Sequence, residues 1–344
     1  MGRRNNFDLL RLIAAVAVIF SHAFLIGEGR QDAEPLMRLT GGQAILGIVG
    51  VFIFFVISGF LVSMSWETTA SAKRYFAKRA LRIYPGLIVC LLLSAFVLGP
   101  VVSTLPASAY FANAQPWRYV AANLLLDADE NSLPGVIFSG IDAGTVVDGP
   151  LWTLPCEILM YLMLAALGML GPIRLWAITL LLAGGMACLW FDTASVDGLL
   201  PAAGWLLPFF AAGMALYRLR DMPIFHPAIA ALAFVGLALT AWLGGFILLF
   251  PIFGAYLVIY AALSPALPVI PAARFGDLSY GLYIYGWPVE QTVTWLHGGA
   301  APWWQVFAWS LPASAALAFL SWHLVEKAAI RLKPRSAAPL APGS

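Results

Sequence analysis

Residues 7–27 read FDLLRLIAAVAVIFSHAFLIG. An apolar run of this length meets the ~20 residues that a helix needs to cross the hydrocarbon core of a bilayer. Arg11 and His22 interrupt it and no small-residue cleavage site follows, so it reads as a retained span and not as a leader peptide. Nine more segments of this kind follow, at about 43–66, 84–104, 150–170, 173–192, 201–219, 226–243, 245–263, 276–296 and 303–326. The pattern predicts an all-α integral membrane protein, a single bundle of about ten transmembrane helices.

Composition points the same way. Of 344 residues, 61% are hydrophobic and 10% are charged, against roughly 25% charged in a soluble domain. The net charge is only +2, with no long acidic or basic tract, so no nucleic-acid partner is expected and the lipid bilayer is the first partner required. Cys90, Cys156 and Cys188 lack CxxC spacing; they read as buried free thiols, and no metal is expected. Residues 1–333 are expected to form one membrane domain, and Pro334–Ser344 a short Pro/Ala-rich cytoplasmic tail. With both termini cytoplasmic, fifteen of the nineteen Lys and Arg residues fall inside, while Arg30, Arg38 and Arg118 fall outside. The longest connection, about 105–149, then lies outside and reads as a cover over an acceptor site.

Ionisable groups within a span are costly and mark functional candidates. Arg11 and His22 share a helix face and lie roughly 16 Å apart along the axis. His22 can take a proton from a hydroxyl near neutral pH; a helix–helix hydrogen bond is its structural alternative, as a snorkelling anchor is for Arg11. Glu157, in Asp148-Gly-Pro-Leu-Trp152-Thr-Leu-Pro-Cys-Glu157, enters from the outside to a depth similar to that of His22. A carboxylate there would fix the histidine tautomer as in a triad, so Glu157 is expected to partner His22; a purely structural ion pair is the alternative. In KRYFAKRALRIYP (73–85), Arg79 and Arg82 point the same way. Together with Lys78 and Tyr84 they are expected to hold a phosphate-bearing cytosolic donor; contact with anionic lipid is the alternative. Ser58, Trp152, Tyr280 and Tyr283 are candidate channel-lining or substrate-binding residues, close helix packing being the other reading. Pro288 should kink the ninth span, and Glu326 reads as one half of an inner-interface salt bridge.

Taken together these stretches resemble the acyltransferase 3 family of integral-membrane acyltransferases. The carrying motifs are Arg11-x10-His22, Phe54-Phe-Val-Ile-Ser58-Gly59, Arg79-x2-Arg82 before Tyr84-Pro85, Gly149-Pro-Leu-Trp152-Thr-Leu-x2-Glu157, Ser279-Tyr280-x2-Tyr283 and Val325-Glu326. They cover nearly the whole chain in the family's order. The resemblance implies a ten-helix core in the bacterial inner membrane. It also implies transfer of an acyl group, usually acetyl, from acyl-CoA as co-substrate to a hydroxyl of an envelope or exported glycan. It makes His22 the essential histidine, Arg11 its partner in the motif, and Arg79 and Arg82 acyl-CoA contacts. Many members carry a histidine before the ninth-span Trp-Pro; here that place is Gly286, so no second histidine is assigned a role.

The expected function is therefore membrane-bound O-acyl transfer, with His22 as general base or as an acyl relay. The alternative is a polytopic transporter or lipid-linked-sugar flippase that uses Arg11, His22 and Glu157 as a relay.

Overall fold

The computed structural model describes residues 5–69, 71–127 and 129–332. Arg3, Arg4, Lys333 and the expected tail lie outside them. The described residues are helical, and no strand occurs among them. A helix occupies each of the ten apolar segments. These are α1 (Phe7–Glu28), α2 (Leu46–Glu67), α3 (Ala72–Val102), α5 (Thr153–Met169), α6 (Leu175–Trp190), α7 (Leu199–Arg218), α8 (Pro227–Leu243), α9 (Phe253–Leu263), α10 (Ser279–Leu296) and α11 (Trp303–Arg331). An amphipathic helix, α4 (Gln115–Leu124), lies within the long connection after α3. Six of the ten are long and apolar enough to cross a membrane. Large apolar side chains on their outward faces, such as Trp176 and Leu180 of α6 and Leu232 and Phe234 of α8, are exposed. A soluble protein does not present such a girdle; the chain is a multi-pass membrane protein.

The helices alternate in direction. At one end Asn6, before α1, binds the carbonyl of Pro268 beyond α9 through its side chain (3.1 Å), and Glu67 at the close of α2 meets Arg218 at the close of α7 (2.8 Å). This end gathers Lys73, Arg74, Lys78, Arg79, Arg82, Arg174, Arg220, Arg274, Lys327 and Arg331, and we call it the basic end. At the other end the Gln43 amide accepts from the Phe246 N–H (2.8 Å) and donates to the Ala241 carbonyl (3.1 Å).

Two boundaries differ from expectation: the 245–263 segment breaks into a short turn of helix, Phe246–Leu249, and α9, and the start of α3 moves. The basic stretch 73–84 is not a connection before a span: α3 starts at Ala72 and runs through it. Its Ala, Lys, Arg and Leu residues are strong helix formers, and their long cationic side chains reach out of the apolar layer. Arg79 and Arg82 thereby stand on a rigid helix.

Packing is closest where glycine removes a side chain. Gly50 of α2 lies against the Ala14 carbonyl of α1. Gly59 of α2 and Gly213 of α7 let those helices cross backbone to backbone, as small residues do in membrane interfaces. Phe52 stacks on Phe209 nearby, with ring centroids 3.7 Å apart. In α10, Pro288 offers no N–H to the Ile284 carbonyl one turn earlier. The Cys90 thiol of α3, 3.3 Å away, donates to that carbonyl instead. Cys90, Cys156 and Cys188 are all free thiols.

Candidate active site

α1, α2, α3, α5, α10 and α11 enclose a cavity of about 540 Å³ that opens at the basic end. Eight of the residues singled out in the sequence line it: Arg11, Ser58, Lys78, Arg79, Arg82, Glu157, Tyr280 and Tyr283. One face of α2, from Thr68 through Ser65, Leu61, Ser58 and Phe54 to Val51, forms a wall along its length. The spacing is three to four residues, the repeat of a helix face.

The cations at its mouth are not equivalent. Lys78 Nζ donates to Thr69 Oγ1 (2.8 Å). Arg79 donates to Ser65 Oγ (3.3 Å) and sits beside the rings of Tyr75 and Tyr161, with its buried Nε holding no hydrogen bond. Arg82 is already committed to Asp277, at 2.7 Å. Tyr84 does not line the cavity; two residues beyond Arg82 it stands about 200° around the helix, so the expected donor contact at Tyr84 is not supported. Arg11, further in, has no ion-pair partner among the described residues. Tyr280 donates to the Ile83 carbonyl (2.8 Å). Glu326 accepts from Ser321 (2.8 Å) and forms no ion pair among the described residues, in place of the expected salt bridge.

A second cavity, of about 350 Å³, lies at the far end. His22 and Trp152 line it, with Trp287 and the backbone around Ala143 and Val146. The two cavities share two lining residues, Val51 and Tyr283.

The partner of His22 is Glu290. Its Oε2 lies 3.6 Å from His22 Nδ1, and the glutamate is fully buried. Glu157 is engaged elsewhere: it accepts from Ser58 Oγ (3.1 Å) and from the Tyr161 hydroxyl. The expected His22–Glu157 pair is thus replaced by His22–Glu290. Depth along the bundle is similar for both carboxylates, but α10 is the helix that packs against this face of α1. The Trp287 ring meets the imidazole edge-on at 4.8 Å. Trp287 and Gln291 tie the long connection to α10, donating to the carbonyls of Val146 (2.9 and 3.1 Å) and, from Gln291, Ala143 (2.6 Å). A Cβ at Gly286 would lie 2.9 Å from the Ile19 side chain of α1, so α10 packs closely on α1 at this level.

A buried carboxylate behind one imidazole nitrogen orients the ring and leaves the other nitrogen for a reacting hydroxyl. A cationic mouth with an unsatisfied guanidinium nitrogen suits an anionic, phosphate-bearing ligand.

Comparison with known proteins bears on this arrangement. The Acyltransferase domain family (acyltransferase 3) matches residues 4–323. An O-acetyl transferase of Shigella phage Sf6 is 30% identical over 95% of this chain and 96% of its own. Nodulation protein 10 of Rhizobium leguminosarum bv. viciae is 32% identical over 96% of this chain and 95% of its own. Acyltransferase MdmB of Streptomyces mycarofaciens is 27% identical over 44% of this chain and 36% of its own. No solved structure matches the chain. A family match over nearly the whole length, joined by two relatives similar end to end, means that this chain belongs to the acyltransferase 3 family and is an acyltransferase.

Proposed function

We propose that this chain is an O-acyltransferase of a bacterial cytoplasmic membrane. It takes an acetyl group from cytosolic acetyl-CoA and passes it to a hydroxyl of an envelope or exported glycan on the far side. In this reading the ten apolar helices cross the bilayer as one domain with both termini and the basic end in the cytoplasm, which the Lys/Arg asymmetry supports. The observation that carries this reading is the arrangement of the two cavities. Arg79 and Lys78 stand at the mouth of one, His22 backed by Glu290 faces the other, and the two adjoin at Val51 and Tyr283.

Arg79 and Lys78 fit the donor's phosphates as multiply charged, multiply donating groups. From Ser65, beside Arg79, to Val51 is fourteen residues of α2, about 21 Å, a span of the order of a pantetheine arm. Arg11 lies along this route. His22 removes the proton of the acceptor hydroxyl as its oxygen attacks the thioester carbonyl. The carbon–sulfur bond then breaks, and the histidinium returns the proton to the leaving thiolate, so that free thiol departs and Glu290 holds the imidazole in place throughout. The name of the phage relative, an O-acetyl transferase, supports oxygen as the accepting atom.

The test is the purified chain in proteoliposomes with radiolabelled acetyl-CoA inside and an envelope-glycan extract outside. Label on glycan and stoichiometric free CoA are expected from the wild type and not from His22→Ala. Glycan movement without CoA release would overturn the reading in favour of a flippase. Full transfer by His22→Ala would overturn the role given to His22.

A further inference from the structure

His22 lines one cavity and the cations the other, and Val51 and Tyr283 line both. This inference rests on the function proposed above. We infer that the Val51–Tyr283 constriction selects the acyl group, passing acetyl and rejecting longer or charged acyl chains.

Both walls are stiff. The Tyr283 hydroxyl is held by Thr153 Oγ1 (2.8 Å) and the Pro150 carbonyl (3.1 Å), and the ring packs edge-on against Phe54 at 5.5 Å. Swinging the ring aside would break two buried hydrogen bonds. Val51, the other residue common to both cavities, is 6% exposed, and a β-branched side chain in a helix is confined largely to one rotamer. Both helices are pinned at this level: α2 at Gly50 against α1, and the turn Gly149–Trp152 by the hydroxyl of Tyr283 itself. The passage therefore cannot widen by side-chain motion alone, and each added methylene must displace packed atoms.

The chemistry of the walls sets the second selection. The Tyr283 hydroxyl is already engaged by Thr153 and the Pro150 carbonyl, and Val51 offers only methyl groups. A succinyl carboxylate there would lose its water and find no donor, a cost of several kcal/mol. Acetyl is small and uncharged, and meets neither penalty.

The experiment compares acetyl-, butyryl- and succinyl-CoA with the full-length protein in the proteoliposome assay, for wild type, Val51→Ala and Val51→Phe. Wild type should favour acetyl over butyryl by about a hundredfold for two added methylenes, and should not use succinyl-CoA. Val51→Ala should raise the butyryl-to-acetyl ratio by about tenfold. Val51→Phe should abolish transfer while binding acetyl-CoA, read by titration, within about twofold of wild type. Wild type using butyryl- or succinyl-CoA as fast as acetyl-CoA, or a Val51→Ala ratio equal to that of wild type, would overturn the constriction and leave the acyltransferase reading standing. Failure of the wild type to consume any acyl-CoA would overturn both.

Discussion

His22 Nδ1 lies 3.6 Å from Oε2 of Glu290, and neither that nitrogen nor either oxygen of the buried carboxyl group holds a hydrogen bond. The distance is slightly long for a hydrogen bond, as between catalytic groups before substrate binding tightens them. A glutamine at 290 would keep the size and lose the carboxyl group that faces the imidazole. Glu290→Gln should lower kcat by about 10²- to 10⁴-fold and leave KM for the acyl donor within about twofold, since the donor is held in the other cavity. Glu290→Asp should recover part of kcat. Steady-state kinetics against both substrates checks this; an equal loss in Glu157→Gln with Glu290→Gln unaffected would show that the wrong carboxylate has been paired.

The α2–α7 crossing gives a prediction about stability alone. A Cβ at Gly59 would run into the backbone carbonyl of Phe210, which no side-chain motion relieves, whereas a Cβ at Gly184 of α6 meets nothing within 4 Å. Gly59→Ala should cost about 1–3 kcal/mol. Gly184→Ala should be neutral, or stabilising by about 0.5–1 kcal/mol through helix propensity. Thermal unfolding in detergent separates the two.

Length and apolarity along a chain fix helices, while facing is decided by packing. Apolar runs of ~20 residues announce helices by length alone, and a helix lies in each of the ten segments, six of them long and apolar enough to cross a membrane. The Gly/Ser-rich second span announces close packing, but not that Gly59 turns to α7 while Ser58 turns to the cavity, because facing depends on neighbours chosen in three dimensions. The same limit explains the pairing error at His22. Rise per residue gives the depth of a group, and depth admits two carboxylates: Glu157, and Glu290 about 10 Å from the outer end of α10. Which of them meets His22 depends on the order in which the helices pack, for which a single sequence carries no signal. Tyr84 fails for a simpler reason: proximity along α3 to Arg82 is not proximity on its surface.

The long connection is held to the bundle through α10. Gln291 donates to the carbonyls of Ala143 and Val146, and Trp287 to Val146. Ala143 and Val146 line the cavity that His22 also lines. Gln291→Leu removes two bonds worth about 1 kcal/mol each and frees the rim of that cavity. KM for the glycan acceptor should rise by about tenfold, with KM for acyl-CoA within about twofold. A rise in the acyl-CoA KM instead would place the acceptor elsewhere.

Arg79 and Arg82 face one cavity from one helix, yet their partners divide their roles. Arg82 is paired with Asp277 at 2.7 Å, and Asp277 also accepts from Ser279 (2.8 Å), at the head of α10. Arg82→Ala leaves that carboxylate without its cation, so its main effect should be loss of stability, of about 1–3 kcal/mol. Asp277→Ala in the same chain should restore part of the loss, giving a favourable coupling of about 0.5–3 kcal/mol in a double-mutant cycle. Arg79 has no carboxylate partner among the described residues and a buried Nε without a hydrogen bond. Arg79→Ala should leave the unfolding temperature nearly unchanged and raise KM for acyl-CoA by about tenfold or more, the loss of one charge-assisted phosphate contact. Arg79→Lys should recover little of it, because an ammonium lacks the planar fork. Isothermal titration with acetyl-CoA beside thermal unfolding resolves the pair: a binding loss confined to Arg82→Ala, with Arg79→Ala behaving as wild type, would show that the donor displaces Asp277 and that the phosphate site lies at Arg82.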